Sequence, residues 1–366
     1  MIKNWEYLRE YEKIKDEILA AVDGVFSSGR LILGPNVARF EEEFAQFCRT
    51  KFAVGVNSGT DALFLALVAL GIGAGDEVVT VSNTAVPTVA AIRASGAMPV
   101  FVDVHKDTYL MDISRVEDKI TTKTKCVLPV HLYGHPVDMN PLLEICKKHK
   151  LYLVEDCAQS HGAEYFGKKT GAFGDLGTFS FYPTKILGAY GDAGMIVTDN
   201  EKLAQRLKMI RMYGMQGEYY SELDGYNSRL DEVQAAILLV KMKILREQIL
   251  HRRDIARRYT QGLERLDIVL PVIKENCGHN FYLYVIQVEK RDELINFLKE
   301  RNIEARVHFP YPIHLMRGYK YLGYKEGDLP HTEYLAGHIL SLPLSAGITR
   351  EEADIIIDNI RKFFKS

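Results

Sequence analysis

The sequence predicts an α/β protein in which a large N-terminal domain is built on a mostly parallel sheet and a smaller C-terminal domain is α+β. Two observations lead to this class. Through the first two thirds of the 366 residues, short runs rich in Val and Ile alternate with segments of helical periodicity. The runs are apolar at successive positions, which is typical of parallel strands that are covered on both faces.

The elements follow from this pattern in chain order. The predicted strands of the large domain are 52–56, 77–81, 99–102, 125–130, 152–155, 177–182 and 195–198, and the predicted helices are 61–70, 88–94, 141–149, 201–212 and 231–258. The C-terminal pattern predicts strands at 281–288 and 305–309 and helices at 292–301 and 350–364. We place the domain boundary inside the long helix, which gives domains 1–245 and 246–366, and we allow for packing of the N-terminal helix on the small domain.

Composition and charge exclude several classes of protein. Lys and Arg number 46 and Asp and Glu 48, so the net charge of −2 gives no general attraction to nucleic acid or to an anionic membrane. Five scattered cysteines without C-x-x-C spacing predict a reduced, cytoplasmic protein with neither disulfides nor a zinc module. The longest apolar run, 62–70, is too short to cross a bilayer, and the charged N-terminus has no signal-peptide core.

The first motif that carries chemistry is the small, polar loop NSGTD at 57–61, between a predicted strand and a predicted helix. A loop of this kind at a helix N-terminus directs unpaired backbone N–H groups at a phosphate. Gly59 and Thr60 are therefore candidate phosphate ligands. When the loop is taken alone, an ordinary helix cap is the better explanation.

The second motif is the carboxylate pair Glu155 and Asp156 at the end of a buried strand. Ligands of open α/β sheets bind at the carboxyl ends of the strands. Successive side chains point to opposite faces of a strand, so only one of the two carboxylates can serve a given site. A solvated strand end is the alternative.

The third motif is SFYPTK at 180–185, followed by a glycine-rich turn. Lys185 comes directly after an aromatic, apolar strand, and such partly desolvated surroundings disfavour the charged ammonium form, as a nucleophilic amine requires. Taken alone, a lysine in a loop is usually solvent-facing, and it is the combination of motifs that favours the amine role. A phosphate loop, a strand-end carboxylate and a lysine after a later strand are together the contacts that pyridoxal 5′-phosphate requires.

Further motifs occur in a fixed order along nearly the whole chain. They are LILGPNVARFE at 31–41, NSGTDAL at 57–63, VHLYG at 130–134, EDCAQSHGA at 155–163, SFYPTK at 180–185, GYNSRLDEVQAA at 225–236, YPIH at 311–314 and LSLPL at 340–344. In these motifs the chain resembles the DegT/DnrJ/StrS-type nucleotide-sugar aminotransferases. The resemblance implies an aspartate aminotransferase-like fold (fold type I) and pyridoxal 5′-phosphate as cofactor, with pyridoxamine phosphate as its intermediate form.

The resemblance also implies roles for single residues at the reacting centre. Lys185 would bind the cofactor covalently through its amine and then move the proton of the 1,3-shift. Asp156 would pair with the pyridinium nitrogen and keep it protonated. Gln159 would lie against the ring near its 3′ oxygen.

The cofactor phosphate would be held by a second group of residues. The resemblance assigns this role to Gly59, Thr60 and Ser180 of the same chain. It also assigns Asn227 of a neighbouring subunit, so we expect a homodimer with shared active sites.

The substrate implied by the resemblance is a nucleotide-linked, dTDP-type keto-6-deoxyhexose, aminated at C3 with L-glutamate as the donor. In many relatives an aromatic residue stacks on the cofactor ring, and Ala85 stands at that position here. The surrounding SNTAVPT at 82–88 is more similar to the C3 enzymes than to the C4 enzymes. The candidate substrate ligands, which supply cations and aromatic rings for phosphates and base, are Tyr182, Arg306, His308, Tyr311 and His314.

Four alternative functions stay open at this point. A C4 sugar aminotransferase shares all the cofactor motifs. A dehydratase or deoxygenase of the same family would carry histidine at the position of Lys185. A non-catalytic nucleotide-sugar-binding or regulatory relative would lack Lys185 or Asp156. A dinucleotide-dependent oxidoreductase would need a glycine fingerprint that the sequence does not contain.

Overall fold

The computed structural model describes residues 1–217 and 219–365 and confirms the α/β class. The N-terminal two thirds contain α1 (Leu8–Ser28), α2 (Pro35–Cys48), β1 (Phe52–Val56), α3 (Gly59–Ala69), β2 (Glu77–Val81), α4 (Val86–Ala94), β3 (Met98–Val102), β4 (Thr124–Val127), α5 (Met139–His149), β5 (Tyr152–Asp156), β6 (Glu164–Tyr165), β7 (Lys168–Lys169), β8 (Leu176–Ser180), β9 (Gly194–Thr198), α6 (Glu201–Ile210) and α7 (Glu232–Met242). They are followed by α8 (Leu245–Leu263), β10 (Cys277–Gly278), β11 (Tyr284–Gln287), α9 (Arg291–Lys299), α10 (Pro330–His338), β12 (Ile339–Leu342) and α11 (Arg350–Phe363).

The central sheet orders its strands β1-β9-β8-β5-β4-β2-β3 within the described residues. Pairing is parallel from β8 through β5, β4 and β2 to β3, and β9 is antiparallel to both of its neighbours, β1 and β8. β1 therefore runs in the same direction as β8 and β5. The carboxyl ends of these strands meet at one edge of the sheet, together with the start of β9.

Burial of successive residues explains why the apolar runs form this sheet. All five residues of β8 and of β9 are buried, and so are the last four of β1. Neighbouring side chains on a strand point to opposite faces, so both faces of the sheet are covered. The helix α3 packs on β8, β9 and β5, and α2 packs on β1 and on α7.

Two expectations about elements are wrong. The helix expected at 231–258 is two helices, because α7 ends at Met242 and α8 begins at Leu245. The helix α7 packs against α1 and α2, whereas α8 packs against α11, so each buries its apolar face on a different partner. The strand expected at 305–309 is an irregular segment with a single bridge, Arg306 to Ser341.

The apolar residues form separate clusters that bear on the domain boundary. The largest cluster, around the central sheet, extends along α8 as far as Ile249. A second cluster begins at Ile255 and joins α8 to α9, α11 and the two-stranded sheet of β11 and β12. The helix α1 contacts both parts, since Glu10 pairs with Lys241 of α7 and Arg9 with Glu352 of α11. The boundary near residue 245 stays a prediction.

Two further features concern surroundings and redox state. None of the helices in the described part of the chain is long and apolar enough to cross a membrane. All five cysteines are free thiols, and only Cys277 is partly exposed. Burial raises the pKa of the Cys146 thiol to about 12, so that group stays protonated at neutral pH.

Candidate active site

A cavity of about 280 Å³ opens at the edge of the sheet where β1, β5 and β8 end. Most of the residues expected to bind the cofactor line this cavity, together with one expected substrate ligand. They are Gly59, Thr60, Asp156, Gln159, Ser180, Lys185 and Tyr182. The fold thus brings together segments that lie more than 120 residues apart in the sequence.

One wall of the cavity is the first turn of α3. Ser58 caps this helix, since its side chain accepts a hydrogen bond from the Asp61 N–H at 3.1 Å. Gly59 and Thr60 are the first two helical residues, whose N–H groups have no acceptor inside the helix. A Cβ at Gly59 would lie 2.4 Å from the Cβ of Ser180, so only glycine permits this close approach of α3 to the end of β8.

Asp156 also lines the cavity and is buried. Its Oδ1 accepts the Ala158 N–H at 3.1 Å, and its Oδ2 accepts the Thr88 hydroxyl at 2.9 Å. Burial raises the pKa of the Asp156 carboxyl, and these two hydrogen bonds and the charge of Lys185 oppose that rise. The ionised carboxylate would therefore be stabilised by a cationic donor in the cavity.

Glu155 points to the other face of β5, as the strand geometry predicts. Its carboxylate accepts the N–H groups of Gly171, Phe173 and Gly174 at 2.7–2.8 Å and lies 3.0 Å from Nε2 of His131. Nδ1 of His131 accepts the Val137 N–H, so both ring nitrogens are engaged within the protein. Glu155 holds loops in place below the sheet edge and takes no part in the cavity.

Lys185 reaches the cavity from the turn that follows β8. Its backbone N–H donates to the Tyr182 carbonyl at 2.8 Å, and the Ala189 N–H returns to the Phe181 carbonyl at 2.7 Å, which closes the turn. Its Nζ lies 4.8 Å from the ring centroid of Tyr282. The side chain is half-buried, and so the ammonium is only partly removed from water.

Gln159, which also lines the cavity, is held in one orientation. Its Oε1 accepts the Tyr133 N–H at 2.7 Å. The backbone around it is fixed by Asn280, whose Nδ2 donates to the carbonyl groups of Gln159 and His161 at 3.0 Å. The Nε2 end of the Gln159 amide is thereby left for an acceptor in the cavity.

His314 is not among the residues that line this cavity, and its assignment as a substrate ligand stays a prediction. Its side chain is fully buried, its Nδ1 lies 2.8 Å from Oγ of Ser82, and its Nε2 lies 3.1 Å from Glu333. Both ring nitrogens are therefore engaged in fixing the loop after β2 to the C-terminal part.

The other C-terminal candidates also lie outside the lining of this cavity. Arg306 forms an exposed ion pair with Glu304, and Tyr311 is exposed. His308 lies near the lysine and hydrogen-bonds Ser341 at 2.8 Å. Burial lowers the pKa of His308 to about 4, and the charges of Arg306 and Lys185 act in the same direction, so the ring is neutral at pH 7.

Asn227 also lies outside the cavity of its own chain. It is exposed and forms a bridge with Met212 on an outer segment of the large domain. The tyrosines at 213, 219, 220 and 226 expose much of their side chains on the same segment. Ser228, next to Asn227, connects this segment to the loop at 57–61: its hydroxyl accepts the Asn57 N–H and donates to the Asp61 carboxylate.

The sequence analysis missed several residues that line the cavity. Thr84 and Thr88 lie beside Asp156, and Asp192 comes from the turn before β9. Thr84 and Thr88 occur in SNTAVPT, whose sequence indicated the lack of an aromatic residue at Ala85 and a similarity to the C3 enzymes, but no role for the two threonines. The partners of these hydroxyl groups depend on how α4 packs near β5. The sequence between these two elements, which includes β4, does not predict that packing.

The residues around the cavity fit pyridoxal 5′-phosphate. The N–H groups of the first turn of α3 and the Ser180 hydroxyl are donors of the kind that a phosphate requires. The buried Asp156 carboxylate, whose charge is not fully compensated, is an acceptor of the kind that the ring nitrogen requires. The amine of Lys185 belongs to the same cavity. The geometry supports the set that the sequence motifs indicated for this cofactor.

Comparison with known proteins agrees with this geometry. The model of the DegT/DnrJ/EryC1/StrS aminotransferase family matches residues 12–361. A dTDP-3-amino-3,4,6-trideoxy-alpha-D-glucose transaminase of Micromonospora megalomicea subsp. nigra is 48% identical over 98% of this chain and 97% of its own. A pleiotropic regulatory protein of Geobacillus stearothermophilus is 44% identical over 97% of this chain and 96% of its own.

Among solved structures, the crystal structure of S. venezuelae DesV in complex with a ketimine intermediate superposes with a TM-score of 0.98. The two chains are 43% identical, and the match covers 100% of this chain and 99% of the other. The fold of this chain is therefore that of a pyridoxal-phosphate aminotransferase, as the motifs indicated.

Proposed function

The chain belongs to the DegT/DnrJ/EryC1/StrS aminotransferase family, and we propose that it transfers the amino group of L-glutamate to C3 of a dTDP-linked 3-keto-6-deoxyhexose. The chain is a pyridoxal-phosphate-dependent transaminase. The observation that carries the proposal is that Lys185, Asp156 and the phosphate loop line one cavity. The choice of C3 is supported by the names of the relatives and by the loop around Ala85.

Lys185 acts as the acid–base group of the reaction. Its Nζ would take the proton from the carbon atom that carries the donor amino group and return it to the carbon atom on the other side of that nitrogen. The turn between Tyr182 and Ala189 fixes the backbone of the lysine. His308 is neutral nearby and adds no second positive charge.

The other cavity residues hold and tune the cofactor. Pyridoxal 5′-phosphate supplies an electron sink for the carbanion that forms at the amino-bearing carbon. Asp156 would hold a proton on the ring nitrogen through a charge-assisted hydrogen bond, which would keep the ring a strong acceptor of electrons. Gly59, Thr60 and Ser180 would anchor the phosphate, and Gln159 would limit the orientation of the ring.

The choice of sugar carbon is tested by direct competition between substrates. We expect holoenzyme with L-glutamate to aminate a dTDP-3-keto-6-deoxyhexose with a kcat/KM at least about tenfold above that for the 4-keto isomer, a difference of about 1.4 kcal/mol in the transition state. Mass spectrometry of the sugar nucleotide measures both products. Preference for the 4-keto sugar would overturn the C3 assignment and leave the cofactor chemistry intact.

A second candidate function is regulatory binding without catalysis, which the name of the Geobacillus relative suggests. Such a protein would have no need of an amine and a buried carboxylate in one cavity. Both groups are present here and face the same space. The enzymatic function therefore has the stronger support, and absence of turnover with either sugar and any amino donor would favour the regulatory one.

We further propose that two copies of the chain share their active sites. Asn227 is exposed, lies outside its own cavity and belongs to a segment with several exposed tyrosines, a composition typical of protein interfaces. In the dimer Asn227 would donate to the cofactor phosphate of the partner. A single chain would then hold an incomplete phosphate site.

Mixed dimers provide the test of this arrangement. Lys185→Ala and Asn227→Asp damage different halves of a shared site, so their mixture should regain about a quarter of the wild-type activity once subunits exchange. Lys185→Ala mixed with Asp156→Asn is the matched control, because both changes lie in the same half and no intact site forms. Activity of the first mixture no higher than that of its separate components would contradict the shared site.

A further inference from the structure

A chain of buried hydroxyl groups leads to the carboxylate of Asp156. Oγ1 of Thr88 lies 2.9 Å from Oδ2 of Asp156, and Oγ1 of Thr84 lies 2.9 Å from Oγ1 of Thr88. Thr84 follows β2, and Thr88 lies in the first turn of α4. All three side chains are buried, so water does not compete for these hydrogen bonds.

The acceptor at one end fixes the direction of the hydrogen bonds. An ionised carboxylate only accepts, so the single proton of the Thr88 hydroxyl is donated to Asp156. The Thr88 oxygen then accepts the proton of Thr84. Because Ala158 donates to Oδ1, each oxygen of Asp156 has one protein donor and keeps a lone pair for one further donor.

We propose that Thr88 is a positioning residue for the cofactor: its hydroxyl holds the Asp156 carboxylate ionised and turned so that a free lone pair faces the ring nitrogen. This proposal rests on the proposed function, which places the cofactor ring against Asp156. Nothing in it requires Thr88 to contact the substrate. Removal of the hydroxyl would leave Oδ2 buried without a protein donor, which favours the neutral acid and weakens its pairing with the ring.

The test compares Thr88→Val, which removes only the hydroxyl, with Thr88→Ser, which keeps it. The readout is the dissociation constant of pyridoxamine phosphate, which forms no bond with Lys185, measured by titration of the apoprotein. We expect Val to raise this constant about tenfold, as for the loss of one hydrogen bond to a charged group, and Ser to stay within about twofold.

A control variant separates positioning from packing. Thr80 on β2 is also buried, donates its hydroxyl to the Leu128 carbonyl at 2.8 Å and does not line the cavity. Thr80→Val should therefore leave the dissociation constant unchanged. An equal rise in Thr80→Val and Thr88→Val would show a general packing effect and overturn the proposal.

A double-mutant cycle with Asp156→Asn tests whether Thr88 acts through the carboxylate. We expect Thr88→Val to have less than a twofold further effect in the Asn background, and a full tenfold effect there would overturn the proposal. Should Thr88→Val fail to fold, Thr88→Ala replaces it in the same cycle. If wild-type protein binds pyridoxamine phosphate and Thr88→Val binds it equally well, only the positioning role falls. If wild-type protein does not bind it at all, the proposed function falls as well.

Discussion

Lys185→Ala is expected to lower kcat by at least about 10³-fold and still bind pyridoxamine phosphate. Proton transfer by a positioned side chain alone contributes about 10²–10⁴-fold, and the lysine also binds the cofactor covalently. Its amine is the one that the turn after β8 carries into the cavity. Steady-state rates and the dissociation constant of pyridoxamine phosphate give the two halves of the result.

The matched control for this change is Lys243→Ala. Lys243 is an exposed lysine that pairs with Glu17 on the surface and does not line the cavity. Its replacement should therefore leave kcat unchanged. Addition of a small primary amine should partly restore proton transfer in Lys185→Ala, because a free amine can replace the missing acid–base group. Activity of Lys185→Ala within tenfold of wild type would contradict the role of the lysine.

Asp156→Asn is expected to weaken binding of the cofactor about ten- to a hundred-fold, as for the loss of a charge-assisted hydrogen bond of about 1.5–3 kcal/mol. Burial raises the pKa of this carboxyl in the protein without cofactor. Cofactor affinity of the wild type should therefore fall as the pH falls through that pKa, because the neutral acid no longer pairs with a ring cation. The Asn variant should lack this acid limb.

The same substitution should act in the opposite direction on the apoprotein. A folded-state pKa above the unfolded value means that the ionised group costs stability once the pH rises above the unfolded pKa, and Asn removes this cost. We therefore expect urea denaturation to show an apoprotein stabilised by about 1 kcal/mol at pH 7 and a smaller gain on adding cofactor. An apoprotein destabilised by Asp156→Asn would show that the buried charge is already fully compensated by the chain.

The sequence was informative where burial and strand direction decide the structure. Strands such as β8 and β9 are buried at every residue, so their apolar runs could be predicted from this one sequence. The alternation of side chains along β5, which is a local property, predicted that only one of Asp156 and Glu155 can serve a given site. The choice of Asp156 followed from the family resemblance. Lys185 was a candidate because it follows an aromatic strand, and the loop at Gly59 was a candidate because it precedes a helix.

Contacts between segments that are distant in the sequence could not be predicted in the same way. The motif YPIH suggested His314 as a ligand. It gave no indication that Ser82 and Glu333, which both lie outside the motif, contact its two ring nitrogens. In the sequence Thr88 has no feature that distinguishes it from other helix residues, and its hydrogen bond with Asp156 depends on the packing of α4 near β5. The break between α7 and α8 has no glycine or proline to mark it and depends on which helices each segment meets.

The most direct test of the account is to locate the covalent bond between cofactor and protein. Holoenzyme treated with borohydride and digested with a protease should yield one peptide whose mass is increased by the reduced cofactor, with fragmentation placing the addition on Lys185. Lys185→Ala treated in the same way should show no such peptide. A label on another lysine, or no label on wild-type protein that has bound the cofactor, would contradict the account at its centre.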